Sequence, residues 1–216
     1  MVRTPYGPFT RRAVLGLLGG AAATAPAWAQ ARPRVVTILG DSITAGYGLP
    51  AGAALPARLQ AQLTRTIPNV RVRGAGVSGD TTAGGLARVD FSVQGDTTLC
   101  VVALGANDLL QGLDPKVTRA NLEKIVQKLK ARRIPVMLAG VSAPSAIGRS
   151  YSRDFGAVFT DLSRKYGLPL YPDLLAGIGA DRRYRQPDGL HPNAAGVNII
   201  ANRLAPAVAR ALTQRR

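Results

Sequence analysis

The chain has 216 residues, 46% hydrophobic and 19% charged, which suits one globular domain with a single sizeable core and excludes a disordered or fibrous protein. Its net charge of +16 comes from basic residues scattered singly or in pairs (Arg132-Arg133, Arg182-Arg183, Arg215-Arg216). Without aromatic-basic interleaving, zinc-knuckle spacing or a basic helix, that charge argues against nucleic-acid binding and for a solvated surface with weak attraction to anionic lipid or polysaccharide.

The N-terminus reads as a targeting segment. Arg3 and then Arg11-Arg12 precede the apolar run from Ala13 to Ala23, and Ala27-Trp28-Ala29 is a small-x-small cleavage pattern before Gln30. The run is shorter than the roughly 20 residues a membrane-spanning helix needs, so no transmembrane anchor is expected. Thr10-Arg11-Arg12-Ala13-Val14-Leu15 resembles a twin-arginine signal, with Val14 where an aromatic is commoner, and reads alternatively as an ordinary Sec signal that carries two arginines. These features predict a leader over residues 1–29, a mature domain over 30–216, and export to the periplasm or medium of a bacterium. Cleavage after Ala29 would remove three arginines and no acid, lowering the net charge to +13.

Beyond the leader, strand-like and helix-like pieces alternate. Arg34 to Leu39 is β-rich and ends at a glycine. Ala54 to Thr66 reads as a helix, with Leu55, Leu59 and Leu63 on one face. Asn69 to Arg73 is a brief alternating strand, and Thr97 to Leu104 a nearly continuous apolar one, as for a strand covered on both faces. Cys100, the single cysteine, lies inside that run, which excludes an intrachain disulfide and predicts a small core residue. Pro115 to Arg132 is the clearest helix, with Asp114 as N-cap. Pro135 to Val141 reads as a strand, Tyr151 to Tyr166 as a helix, Leu168 to Tyr171 as a strand and Ala194 to Leu212 as the closing helix. Repeated β-then-α units predict an α/β protein with a central parallel sheet sandwiched between helices, and ligands beyond the carboxyl ends of its strands.

Three loops at those ends carry chemistry. Gly40-Asp41-Ser42-Ile43-Thr44 follows the first strand and presents a serine there. Serine also caps helices, so this loop alone does not establish a nucleophile. The chain's single histidine, His191, follows Asp188 by three positions in a turn before the last helix. An Asp-x-x-His turn can set the carboxylate against Nδ1 and leave Nε2 to take a proton from serine. If the chain is a Ser-His enzyme, His191 must be the base. Donors for an oxyanion are available from the Ser42 N–H, from Gly79 in Gly76-Val77-Ser78-Gly79-Asp80-Thr81, and from the Asn107 amide in Gly105-Ala106-Asn107-Asp108. Each loop also reads as an ordinary turn, since Gly, Asn and Asp dominate turns.

Taken in order, Gly40-Asp41-Ser42, Gly79, Gly105-x-Asn107-Asp108 and Asp188-x-x-His191 resemble the four blocks of the SGNH (GDSL-like) hydrolases. The resemblance spans almost all of the mature chain and is strongest to the bacterial multifunctional thioesterase, lysophospholipase and arylesterase group. It implies a flavodoxin-like three-layer α/β/α fold and a serine esterase acting on acyl esters or thioesters. It further implies Ser42 as nucleophile, His191 as base and acid, Asp188 as orienting carboxylate, and Gly79 and Asn107 completing an oxyanion hole. The family default is a monomer without cofactor or metal. One departure is visible: relatives often carry Asn early in the second block, where this chain has Gly74. Asp41, Asp80 and Asp108 are expected to hold loops through hydrogen bonds to backbone N–H groups.

Other hydrolase classes are unsupported. There is no Gly-x-Ser-x-Gly elbow, and one His with one Cys makes no zinc site. No phosphate loop or dinucleotide fingerprint occurs. Carbohydrate O-acetyl esters are the alternative substrate, since the same fold and triad deacetylate polysaccharides. An exported binding protein with a decayed triad is the non-enzymatic alternative, disfavoured by the complete set of blocks. By analogy with the family, Ser142 to Gly148 should wall the acyl pocket. Asp181-Arg182-Arg183-Tyr184-Arg185, just before the Asp-x-x-His turn, is expected either to steer anionic head groups or to be a solvated loop.

Overall fold

A computed structural model describes residues 1–2 and 33–214. The leader expected over residues 1–29 lies outside the described residues apart from its first two. Every element below belongs to the unit spanning residues 32–216.

The order is β1 (Arg34–Gly40), α1 (Ser42–Ala45), α2 (Leu55–Leu63), β2 (Val70–Gly76), α3 (Thr82–Ser92) and β3 (Thr97–Ala103). There follow α4 (Ala106–Leu110), α5 (Pro115–Ala131), β4 (Val136–Ala139), α6 (Arg149–Tyr166), β5 (Leu170–Tyr171) and α7 (Ala194–Thr213). The five strands form one all-parallel sheet in the order β2-β1-β3-β4-β5. The chain therefore reverses its direction of travel across the sheet between β1 and β3, the switch point at which doubly wound folds hold ligands. Ser42 follows β1 and Asn107 follows β3, so the order of pairing brings these two loops together.

Side chains alternate across the sheet, and each face has its own core. Val36, Ile38, Leu99 and Val101 meet Leu55, Leu59 and Leu63 of α2 and Ile200 and Leu204 of α7. Leu39, Cys100 and Val102 meet Val89 of α3, Leu122, Ile125 and Leu129 of α5, and Phe155 and Leu162 of α6. Cys100 is fully buried, and burial pushes its thiol up to about 12, as suits an inert core residue. At the sheet edge, Gln60 of α2 donates through Nε2 to Val70 O (2.7 Å) and accepts through Oε1 from Val72 N (2.6 Å). This side chain occupies backbone groups of β2 that would otherwise invite another strand.

The expected elements are all present, with ends shifted by at most three residues. Three helices are additional: the short α1 and α4, and α3, which carries Gly84 and Gly85 and does not show in the apolar pattern. Among the described residues no helix is long and apolar enough to cross a membrane.

Candidate active site

β1 ends at Gly40, and the chain turns at once into α1. Asp41 caps that turn by accepting Ile43 N–H at 3.0 Å, which leaves Ser42 as the first helical residue rather than its cap. Ser42 is 7% exposed and faces the switch point.

His191 arrives from the other side. Its Nε2 stands 2.9 Å from Ser42 Oγ, and its Nδ1 2.7 Å from Asp188 Oδ2. The second carboxylate oxygen, Oδ1, accepts the backbone N–H groups of Leu190 (2.9 Å) and His191 (3.0 Å). Donation from the His191 ring, with these two N–H groups, holds the Asp188 carboxyl down at about 2. Asp188 is thus anionic at neutral pH, favours the proton on Nδ1, and leaves Nε2 as an acceptor for the Ser42 hydroxyl.

The turn carrying these residues is tied down over its whole length. Arg185 and Pro192 form an antiparallel bridge, and Gln186 N–H donates to His191 O at 2.8 Å. Gln186 Nε2 donates to Tyr47 O (2.7 Å) and Pro192 O (3.0 Å), joining the turn to the segment after α1. The Arg185 guanidinium donates to Leu190 O and Gly179 O. Arg183 is paired with Asp181 at 2.7 Å, so two of the three arginines in this basic loop already have partners.

The two other expected loops also reach the site. Gly79 adopts a left-handed φ of +85°, and nothing lies within 4 Å of where a Cβ would stand, so backbone conformation rather than crowding calls for glycine. Asn107, in the first turn of α4, spends one Nδ2 hydrogen on Asp80 O at 2.8 Å. Its neighbour Asp108 is fully buried and accepts Thr82 N–H (2.8 Å), together with the hydroxyls of Thr82 and Thr118. Asp41 and Asp108 therefore hold backbone as expected. Asp80 differs: its carboxylate pairs with Arg88 at 2.6 Å.

Ser42, Gly79, Asn107 and His191 open onto one cleft of about 600 Å³. Its walls are largely apolar. Ser142 and Pro144 contribute from the segment expected to form the pocket wall, joined by Ile43, Leu109, Leu110, Leu175, Ala180 and Leu190, which the sequence pattern does not single out. Among the described residues no cluster of His, Cys, Asp and Glu is arranged to hold a metal ion. A serine hydroxyl facing an imidazole nitrogen, with amide donors beside an apolar cleft, is equipped for acyl transfer.

Comparison with known proteins agrees with this chemistry. Residues 38–199 match the GDSL-like Lipase/Acylhydrolase family. The chain is 35% identical over 169 residues to thioesterase 1/protease 1/lysophospholipase L1 of Escherichia coli K12, covering 78% of this chain and 80% of that protein. Among solved structures, the SGNH-hydrolase family esterase AlinE4 is 42% identical with a TM-score of 0.70, over 84% of this chain and 97% of that one. The esterase EstA of Pseudoalteromonas sp., solved in a form inhibited by monoethylphosphonate, is 28% identical with a TM-score of 0.78, over 84% and 100%. This chain belongs to the GDSL-like lipase/acylhydrolase family and is an ester-hydrolysing enzyme of the SGNH kind.

Proposed function

We propose that the protein is an exported serine esterase that cleaves acyl esters or thioesters through Ser42, His191 and Asp188, with Gly79 and Asn107 binding the oxyanion. The observation that carries this reading is the continuous chain Asp188 Oδ2–His191 Nδ1 (2.7 Å) and His191 Nε2–Ser42 Oγ (2.9 Å). Ser42 Oγ attacks the acyl carbon as its proton passes to His191 Nε2, and the carbonyl oxygen becomes an oxyanion. The Ser42 and Gly79 N–H groups and the second Asn107 Nδ2 hydrogen supply its hydrogen bonds. Collapse of the intermediate expels the alcohol or thiol, which takes the proton from His191, and leaves an acyl-Ser42. A water then gives its proton to His191 and attacks the acyl carbon. The acid departs, and the proton returns to Ser42 Oγ.

The apolar walls Leu109, Leu110, Leu175 and Leu190 favour an acyl chain over a sugar ring as the group lying in the cleft. Export rests on the basic, apolar and small-x-small succession of residues 3–29. A panel of p-nitrophenyl esters of increasing chain length, run beside an acyl thioester and acetylated xylan, tests the substrate. Turnover of the longer esters, lost in Ser42→Ala, supports the proposal. Release of acetate from xylan alone would replace it with the carbohydrate esterase. Because EstA is inhibited by a phosphonate, phosphonate labelling followed by peptide mapping tests the nucleophile directly, and a label anywhere but Ser42 rejects it.

A further inference from the structure

Arg88 sits on α3, the helix the apolar pattern does not reveal, and it is not among the residues lining the cleft. Its guanidinium nevertheless reaches four acceptors, three of them at the carboxyl end of the sheet. Nε donates to Asp80 Oδ2 at 2.6 Å. One terminal nitrogen donates to Ala75 O at 2.9 Å and to Ser92 Oγ at 3.1 Å, and the other to Gly40 O at 2.7 Å. The ion pair is largely sheltered, with side chains 18% and 15% exposed.

Three of those acceptors, Gly40 O, Ala75 O and Asp80 Oδ2, belong to the two segments that lead to the oxyanion donors, and the fourth, Ser92 Oγ, is on α3 itself. Gly40 O closes β1, two residues before Ser42, and it also accepts Val77 N–H at 3.1 Å. Ala75 O lies near the end of β2, opposite Leu39, and Asp80 directly follows Gly79. Asp80 reaches the third donor as well, because its carbonyl accepts Asn107 Nδ2 at 2.8 Å. One guanidinium therefore fixes the exit of β1, the exit of β2 and the residue that bridges Gly79 to Asn107. A planar fork with five donors can satisfy acceptors in these divergent directions, whereas an ammonium offers three donors from a single atom.

We infer that Arg88 is a positioning residue for the oxyanion hole, holding the Ser42, Gly79 and Asn107 donors in one fixed constellation. It acts on the intermediate only through them, and the inference rests on the serine-esterase reading above. A constellation of this kind acts on the transition state more than on the bound substrate, and a displacement of about 1 Å in such a site can cost about 10²-fold in rate.

The test is steady-state kinetics on a p-nitrophenyl ester for Arg88→Ala, Arg88→Lys, Asp80→Asn and Ser42→Ala, each first shown to be folded by circular dichroism. Arg88→Ala should lose about 10- to 100-fold in kcat with KM changed less than about threefold. Arg88→Lys should recover only part of the loss, and added guanidinium should restore turnover in Arg88→Ala but not in Ser42→Ala. Should Arg88→Ala fail to fold, Asp80→Asn, which keeps the backbone contact to Asn107 and removes the ionic grip, must show the same fall in kcat. Normal kcat in a folded Arg88→Ala, or a loss confined to KM, overturns the assignment. An active Ser42→Ala would instead overturn the esterase mechanism and take this assignment with it.

Discussion

The Tyr47 ring lies against the His191 imidazole, with centroids 4.5 Å apart and planes tilted by 36°. Tyr47 is 52% exposed, so this contact belongs to the site's surface rather than to the core. Asp188 fixes the imidazole at one edge, and Tyr47 limits its movement out of plane. An aromatic pair contributes about 0.5–1.5 kcal/mol, which sets an upper range of about tenfold in rate if all of it serves to orient the ring. Tyr47→Ala should lower kcat by about two- to tenfold, whereas Tyr47→Phe, which keeps the ring, should stay near wild type. Equal losses in both variants would assign the role to the hydroxyl instead.

Asn107 already spends one amide hydrogen on Asp80 O, so only the other can serve an oxyanion. Asn107→Ala removes both the donor and the tie to the Gly79 loop. Turnover should fall by about 10² or more with little change in KM, as for loss of a single oxyanion donor. A rise in KM at constant kcat would make Asn107 a contact to the bound substrate.

The basic loop before His191 divides into two kinds of arginine. Arg185 lines the cleft, and burial lowers its pKa while Asp173 and Asp188 oppose that shift; its donors go to Leu190 O and Gly179 O. Arg182 is exposed. Arg185→Gln should therefore slow neutral and anionic esters alike, by loosening the turn that carries Asp188 and His191. Arg182→Gln should slow only anionic esters and only at low salt, where long-range attraction operates. If Arg185→Gln discriminates between the substrate charges, the loop steers rather than braces.

These contrasts show what was legible in the chain and what was not. Strands β1, β3 and β4 and helix α5 announce themselves because continuous apolar runs and a capped, periodic helix are local signals. The Ser42, Gly79, Asn107 and Asp188–His191 loops are equally legible, since each is a short motif just after a strand or just before the last helix. Helix α3 is not, because Gly84 and Gly85 dilute its apolar face, and Arg88 is hidden with it. Nor are Leu109, Leu110, Leu175 and Leu190 readable as one cleft, since they come together only through tertiary packing. Gly74, the departure from the family pattern, acquires a reason in three dimensions: a Cβ there would stand 2.7 Å from Pro56 Cγ. Pro56 of α2 fills the room that a larger residue at position 74 would need, a pairing across 18 positions that no local pattern reveals.

Asp41, beside the proposed nucleophile, titrates at about 6. Burial raises its carboxyl from 3.8 to about 6, with the Ile43 N–H opposing that rise and His191 adding a smaller opposing pull. It is 2% exposed. The folded protein thus holds this proton more tightly than the unfolded chain does. Below pH 3.8 both states are protonated and Asp41 leaves stability unchanged. Between pH 3.8 and 6 the unfolded chain releases its proton first, so the folded state loses ground. Above pH 6 the whole penalty applies, roughly 3 kcal/mol at about 1.36 kcal/mol per pKa unit. Asp188 does not blur this window. Its pKa is depressed to about 2, so its stabilising contribution is present above pH 3.8 and is lost only as pH falls towards 2. Asp41→Asn keeps an oxygen to accept the Ile43 N–H and removes the buried charge. The stability of Asp41→Asn relative to wild type, from urea titrations between pH 4 and 8, should therefore rise by up to about 3 kcal/mol up to pH 6 to 7 and then level off. The kcat/KM profile should change in the same interval, because wild type carries the Asp41 ionisation on its acidic limb and the variant does not. A stability difference independent of pH would mean that Asp41 carries no buried-charge penalty.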